Sequence, residues 1–112
     1  MRVNVNSGKF VGHCELPDFL TLTQCRAFED AYFGDPDKLN EDGSKKVWLS
    51  VNDEKMLPVL ISIVKEWHID NIPETPTPET FPGSPRKHSS QIISQLASAV
   101  LKLWNGEDIP NA

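Results

Sequence analysis

Five side chains in this sequence have the chemistry of metal ligands or nucleophiles: His13, Cys14, Cys25, His68 and His88. Their spacing matches no zinc template, which shows two close pairs such as CxxC or HxxxH. No metal site is expected. A Cys–His nucleophilic pair is formally available through Cys25 and a distant histidine. Cys25, however, falls on the apolar side of a helical pattern, where a thiol acts as a small core residue. Glu29, Asp30, Asp35, Asp37, Glu41 and Asp42 crowd one region. Paired carboxylates can do acid–base work, but this spacing is not that of a calcium loop. A solvated loop is the ordinary reading. No phosphate loop and no nucleophile–base pair stands out, so the chain reads as a non-enzyme without a cofactor.

Arg86, Lys87 and His88 open the last helical pattern. Cations there oppose the positive end of the helix dipole at a cost of some tenths of a kcal/mol. An acidic surface, on this chain or on a partner, would offset that cost. Snorkelling of long side chains is the plain alternative. Trp48, Trp67 and Trp104 have the size of core residues or interface anchors. The periodicity favours core burial for Trp67 and Trp104 and leaves Trp48 the most open.

The elements that position these residues are legible in outline. RVNVNSGKFVGHCEL alternates as a β-hairpin over 1–16, with turn chemistry at Asn6, Ser7 and Gly8. Phe10, Gly12, Cys14 and Leu16 share one face. Two strands alone are marginal in water, so the hairpin must pack on something or pair again. A helix over 21–33 follows, capped by Thr21 or Thr23, with Leu22, Cys25, Phe28, Ala31 and Tyr32 as its stripe. Gly34 and Asp35-Pro36 stop it. The segment 35–46 reads as a polar loop. A second helix is expected over 53–67, with Leu57, Leu60, Val64 and Trp67 as its stripe and Ile61 and Ile63 widening it. Pro58 fits its first turn best; with a start near Asp53 it would lie inside the helix and kink it.

Residues 70–84 hold Pro73, Pro76, Pro78 and Pro82, and Pro85 follows at once. Each proline fixes its φ and pushes the preceding residue toward extended geometry. An extended, stiff strap is expected, anchored by Ile72 and Phe81 and joining the second helix to the third. The third helix runs over 85–105, with Ser84 as cap and Gly106 as stop. Ile92, Leu96, Val100 and Leu103 give it a wide apolar face. The fold class is mainly α with a small N-terminal β-hairpin, an α+β domain spanning 1–112.

The totals narrow the function classes. The chain has 112 residues, a formal net charge of −5 and 38% apolar residues. The acidic balance argues against nonspecific binding to nucleic acid or to an anionic membrane. No apolar run approaches the roughly 18 residues of a membrane span, and the N-terminus lacks a signal-peptide core. The cytoplasm is the expected location, and its two cysteines are expected as free thiols.

The stretch GHCELPDFLTLTQCRAFEDA, then MLPVLISIVKEWHIDNIPETPTPETFPGSP, then SQIISQLASAVLKLWNG resembles the tail assembly chaperones of long-tailed bacteriophages and prophages. Glu66-Trp67 and the proline strap are the most specific pieces, and the hairpin is not diagnostic. The resemblance implies a small, acidic, helical protein of the host cytoplasm. Such a protein binds tape-measure and tail-tube proteins during assembly and is absent from the finished virion. It also implies an apolar groove between the last two helices, held open by the strap, with Trp48, Trp67, Phe81, Arg86, Lys87 and Trp104 as partner-binding residues. Self-association is compatible with this. Two other classes compete: a minor structural virion protein of tail or head completion, and a small acidic anti-defence inhibitor acting through residues 29–42.

Overall fold

The computed structural model describes residues 1–33 and 53–106. The elements are β1 (Arg2–Ser7), β2 (Phe10–Glu15), α1 (Leu22–Phe33), α2 (Asp53–Ile63), β3 (Glu66–Ile69) and α3 (Arg86–Asn105). The strands form an antiparallel sheet in the order β1-β2-β3. Three helices and this sheet make a mixed α+β fold. α3 packs on β1 and on α2, and α2 packs on α1.

The hairpin closes through a two-residue turn, since Ser7 pairs with Phe10. Gly8 sits at the first turn position with φ of 59°, a conformation that glycine adopts without steric cost. Asn6 and Ser7 therefore belong to the strand and not to the turn. Val5, Phe10, Cys14 and Leu16 all point inward and are at most 1% exposed. The opposite face carries Arg2, Asn4, Val11, His13 and Glu15.

α1 begins with a capping box. The Gln24 backbone N–H donates to Thr21 Oγ1 at 3.2 Å, and the Thr21 backbone N–H donates to Gln24 Oε1 at 2.9 Å. Thr21 is thus the cap, and Thr23 is not. Phe28 and Ala31 face the core. Leu22, expected on the apolar stripe, is 81% exposed, because the buried side of α1 is set by Phe28 and Ala31, and at about 100° per residue Leu22 points roughly 120–180° away from them.

The second helix is shorter than the sequence pattern suggests. It ends at Ile63, and Glu66–Ile69 is a strand pairing with β2. The correction has a physical cause. Val64 N–H still donates to Leu60 O, but Lys65 N–H donates to Glu15 O at 2.8 Å. From Lys65 onward the backbone finds its partners in β2. Trp67 and Ile69 alternate into the core while Glu66 and His68 point out. α2 starts at Asp53, so Pro58 lies inside the helix and not in its first turn. Its buried face is Met56, Leu60 and Ile63.

The proline segment follows β3 directly, so it joins a strand, not α2, to α3. It is also not uniformly extended. Asn71 takes φ of 68°, and its side-chain amide donates to Lys9 O at 3.0 Å. Thr77 and Thr80 close a turn around Pro78-Glu79, with Thr80 N–H and Phe81 N–H both donating to Thr77 O. Ile72 and Phe81 are each 8% exposed, so both expected anchors are seated. Ser84 does not cap α3. The residue before the helix is Pro85, and no side chain caps it. Ser89 Oγ instead donates to Pro82 O at 2.7 Å, tying the strap to the first turn. Gly106 ends α3 in the left-handed region at φ of 73°.

Candidate functional site

Of the six residues singled out from the sequence, the five that are described do not assemble into one surface. Trp48 lies outside the described residues. Trp67 is 4% exposed on β3, and its ring meets Phe81 edge to face at 6.0 Å. This pair pins the strap to the sheet, so neither ring offers a face to a partner. Trp104 lies near the far end of α3. Its indole N–H donates to Glu29 Oε1 at 3.2 Å and its ring tilts against Phe33 at 5.3 Å. It joins α3 to α1 and accounts for one member of the acidic cluster. The members at 35–42 lie outside the described residues. Arg86 reaches Asp53 Oδ2 at 3.5 Å, and Ser90 Oγ donates to the same oxygen at 2.7 Å. The acidic group that offsets Arg86 is therefore one of the chain's own. Lys87 is exposed.

The expected groove between α2 and α3 is closed. Met56, Leu60, Ile92, Leu96, Ala97 and Val100 are all 0% exposed. The two wide apolar faces are spent on the chain's own core and on each other.

One Ser–His pair does come together. Ser7 Oγ lies 2.8 Å from His88 Nδ1 and 2.6 Å from Gln91 Oε1. The α3 first turn brings His88 over the hairpin, where a Cβ on Gly8 would stand 2.7 Å from the imidazole. Nucleophilic catalysis needs a reachable hydroxyl and a base oriented by a third group. Ser7 is 3% exposed, and its other neighbour is an amide. The arrangement serves as a latch between hairpin and helix. A second latch lies one turn on, where the Gln95 side-chain amide accepts from Asn6 N–H at 3.2 Å and donates to Asn6 O at 3.1 Å. It mimics a neighbouring strand at the exposed edge of β1.

Two carboxyl and thiol groups are perturbed. The Arg2 guanidinium hydrogen-bonded to Glu15 holds that carboxyl below its ordinary range, helped by the N-terminal ammonium, Arg2's charge and His13. Burial pushes the Cys14 thiol up to about 12, with the Glu15 charge adding to it. Cys14 is thus an inert core thiol, and Cys14 and Cys25 are both free. Glu15 also lines an open hollow of about 410 Å³ with Met1, Leu16, Asp18, Lys65 and Glu66. Among the described residues no three His, Cys, Asp or Glu groups stand converged on a metal position.

Among the described residues three large apolar side chains stand exposed, Val11 at 45% and two others far more so. Phe19 is 75% exposed and Leu22 81% exposed, three positions apart where the chain enters α1. No protein-family model, curated protein or solved structure matches this chain. The function has to be argued from such features and from the order of the elements. Sequence periodicity could not find this pair, because it places Leu22 on the buried stripe. The capping box was the usable signal. With Thr21 as cap, Leu22 becomes the first helical residue, on the side of α1 opposite Ala31.

Proposed function

We propose that this chain is a non-catalytic protein-binding domain serving phage tail assembly, a chaperone for tape-measure or tail-tube proteins. The sequence resemblance, Glu66-Trp67 followed by the proline strap, supports the tail-assembly reading. The observation that carries the binding reading is the pair Phe19 and Leu22, held in solvent at 75% and 81% exposure beside an otherwise closed core. Two large apolar side chains, Phe19 in the bend before α1 and Leu22 at its capped first residue, are suited to an amphipathic client helix, which docks through anchors spaced three or four residues apart. In this reading the client docks at the start of α1, since the face between α2 and α3 is already packed.

The test is co-purification from cells making the tail proteins, with wild type and a Phe19→Ser/Leu22→Ser double variant as baits. Wild type is expected to retain a tape-measure or tube protein and the variant to lose it, while both keep the same circular dichroism and melting temperature. Equal retention by both baits, or retention of no tail protein by wild type, contradicts the proposal. Purified particles that contain the bait would move the reading to a structural tail component.

A further inference from the structure

β1 lies at the edge of the sheet, and its outward backbone is covered over only part of its length. Two observations fix which groups point outward. Leu16 N–H donates to Met1 O at 2.7 Å, so Met1 and Leu16 form a bonded pair of the hairpin. Asn6 N–H and C=O are both taken by the Gln95 side-chain amide, so they face away from β2. In an antiparallel ladder, bonded and non-bonded pairs alternate. Asn6, Asn4 and Arg2 therefore turn their N–H and C=O to the open side. α3 reaches β1 at the turn end, through His88 and Gln91 at Ser7 and Gln95 at Asn6. Among the described residues nothing bonds the Asn4 backbone on that side, and Arg2 and Asn4 are both exposed.

We propose that this open half of the edge pairs with the same edge of a second copy of the chain, antiparallel, with the two-fold axis at Val3. The register follows by elimination. A two-fold at Asn4 or at Val5 needs the Asn6 backbone, which Gln95 occupies. A two-fold at Arg2 sets two guanidinium side chains directly opposite, and like charges so placed repel. A two-fold at Val3 sets Arg2 of each copy against Asn4 of the other, and each such pair exchanges both of its main-chain hydrogen bonds. Val3 is half-buried at the margin of the core. It then meets Val3 of the second copy as a closely spaced non-bonded pair of β-branched side chains.

Charge agrees with this register. On the solvent face Asn4 pairs with His13 and His13 with His68, while Arg2 pairs with Glu15 and Glu15 with Glu66. A row of the dimer therefore runs from His68, His13 and Asn4 of one copy into Arg2, Glu15 and Glu66 of the other. No like charges oppose each other across the seam. The contact is self-complementary, as a two-fold interface must be. It is also short, so the dimer is weak and concentration-dependent. The pairing stands apart from the proposed client site, since it uses neither Phe19 nor Leu22.

The experiment is sedimentation velocity of the full chain from micromolar to millimolar concentration, with amide exchange read at Arg2 and Asn4. Wild type is expected to pass from monomer to dimer, with both amides more protected at the higher concentrations. Asn4→Asp sets a carboxylate against Arg2 of the other copy and is expected to lower the dimer dissociation constant by about threefold. Asn4→Lys opposes two cations and is expected to raise it by about as much or more. In a register centred on Asn4 the Asn4→Asp change would weaken the dimer, so the direction identifies the register. Phe19→Ser/Leu22→Ser is expected to leave the dimer intact. A monomer throughout the range, a weaker dimer with Asn4→Asp, or association abolished by Phe19→Ser/Leu22→Ser overturns the proposal. Should either Asn4 variant lose its wild-type melting temperature, the Asn4 amide of wild type decides alone: protection that does not rise with concentration overturns the pairing.

Discussion

Replacing Gly12 with alanine tests how the third strand is held. Gly12 faces Ile69 in the β2–β3 register. A Cβ there would overlap His68 O and lie 2.7 Å from Ile69 Cα and 2.9 Å from the His68 carbonyl carbon. All three are backbone atoms, so no rotamer change relieves them. Normal contacts between such atoms lie near 3.5 Å, so β3 must move by more than an ångström. That motion breaks the flanking bonds Lys65 N–H to Glu15 O and Asp70 N–H to Val11 O, each contributing about 1 kcal/mol. It also loosens Trp67 and Ile69, whose full burial is each worth about 1.5–3 kcal/mol. With partial loss of that burial, the expected cost is about 3–5 kcal/mol, a large fraction of the roughly 5–15 kcal/mol of a small domain. In an open position the same change stabilises by about 0.4–1 kcal/mol through the unfolded chain, so even the sign discriminates. Urea denaturation followed by tryptophan fluorescence and circular dichroism measures it. Gly83→Ala is the control, since a Cβ there meets nothing within 4 Å, and it should stabilise by about 0.4–1 kcal/mol. A Gly12→Ala variant as stable as wild type would refute the close strand approach.

Thiol labelling at pH 8 should find Cys25 reacting first, with Cys14 reacting only at the unfolding rate, because burial keeps its thiol protonated to about 12. Glu15→Gln should destabilise at neutral pH and become neutral in acid. The folded carboxyl is held below its unfolded value, so its stabilisation is present above the unfolded range and is lost as pH falls through the folded one. Urea midpoints of both proteins from pH 7 down to 2 check this. Gln95→Ala should cost about 1 kcal/mol and expose Asn6 N–H and C=O at the β1 edge. Sedimentation velocity should then show increased self-association relative to wild type.

The hairpin, α1 and α3 were readable because their patterns are local. Period-two alternation placed Val5, Phe10 and Cys14, and the 3.6 period placed Ile92, Leu96 and Val100. β3 was hidden for a physical reason. Val64 and Trp67 satisfy a helical spacing as well as Trp67 and Ile69 satisfy a strand, and four residues do not decide between them. What decides is the pairing with β2, some fifty residues earlier, which no local window contains. The same remoteness concealed the His13–His68 pair and the Ser7–His88 latch. The strap's anchors Ile72 and Phe81 were visible as isolated apolar residues among prolines. Its turn at Thr77–Thr80 depends on side-chain hydrogen bonds that proline counting does not reveal. The exposure of Leu22 was obscured because each i+3 step drifts about 60° around the helix, so a stripe begun at Leu22 has turned to the opposite side by Ala31.

The most direct test of the central claim is quantitative co-purification of tail proteins with wild type and the Phe19→Ser/Leu22→Ser variant from the same infected culture. The account predicts a tape-measure or tail-tube protein enriched at least about tenfold on wild type over a variant of equal melting temperature. Equal recovery on both baits, or no tail protein on either, contradicts it.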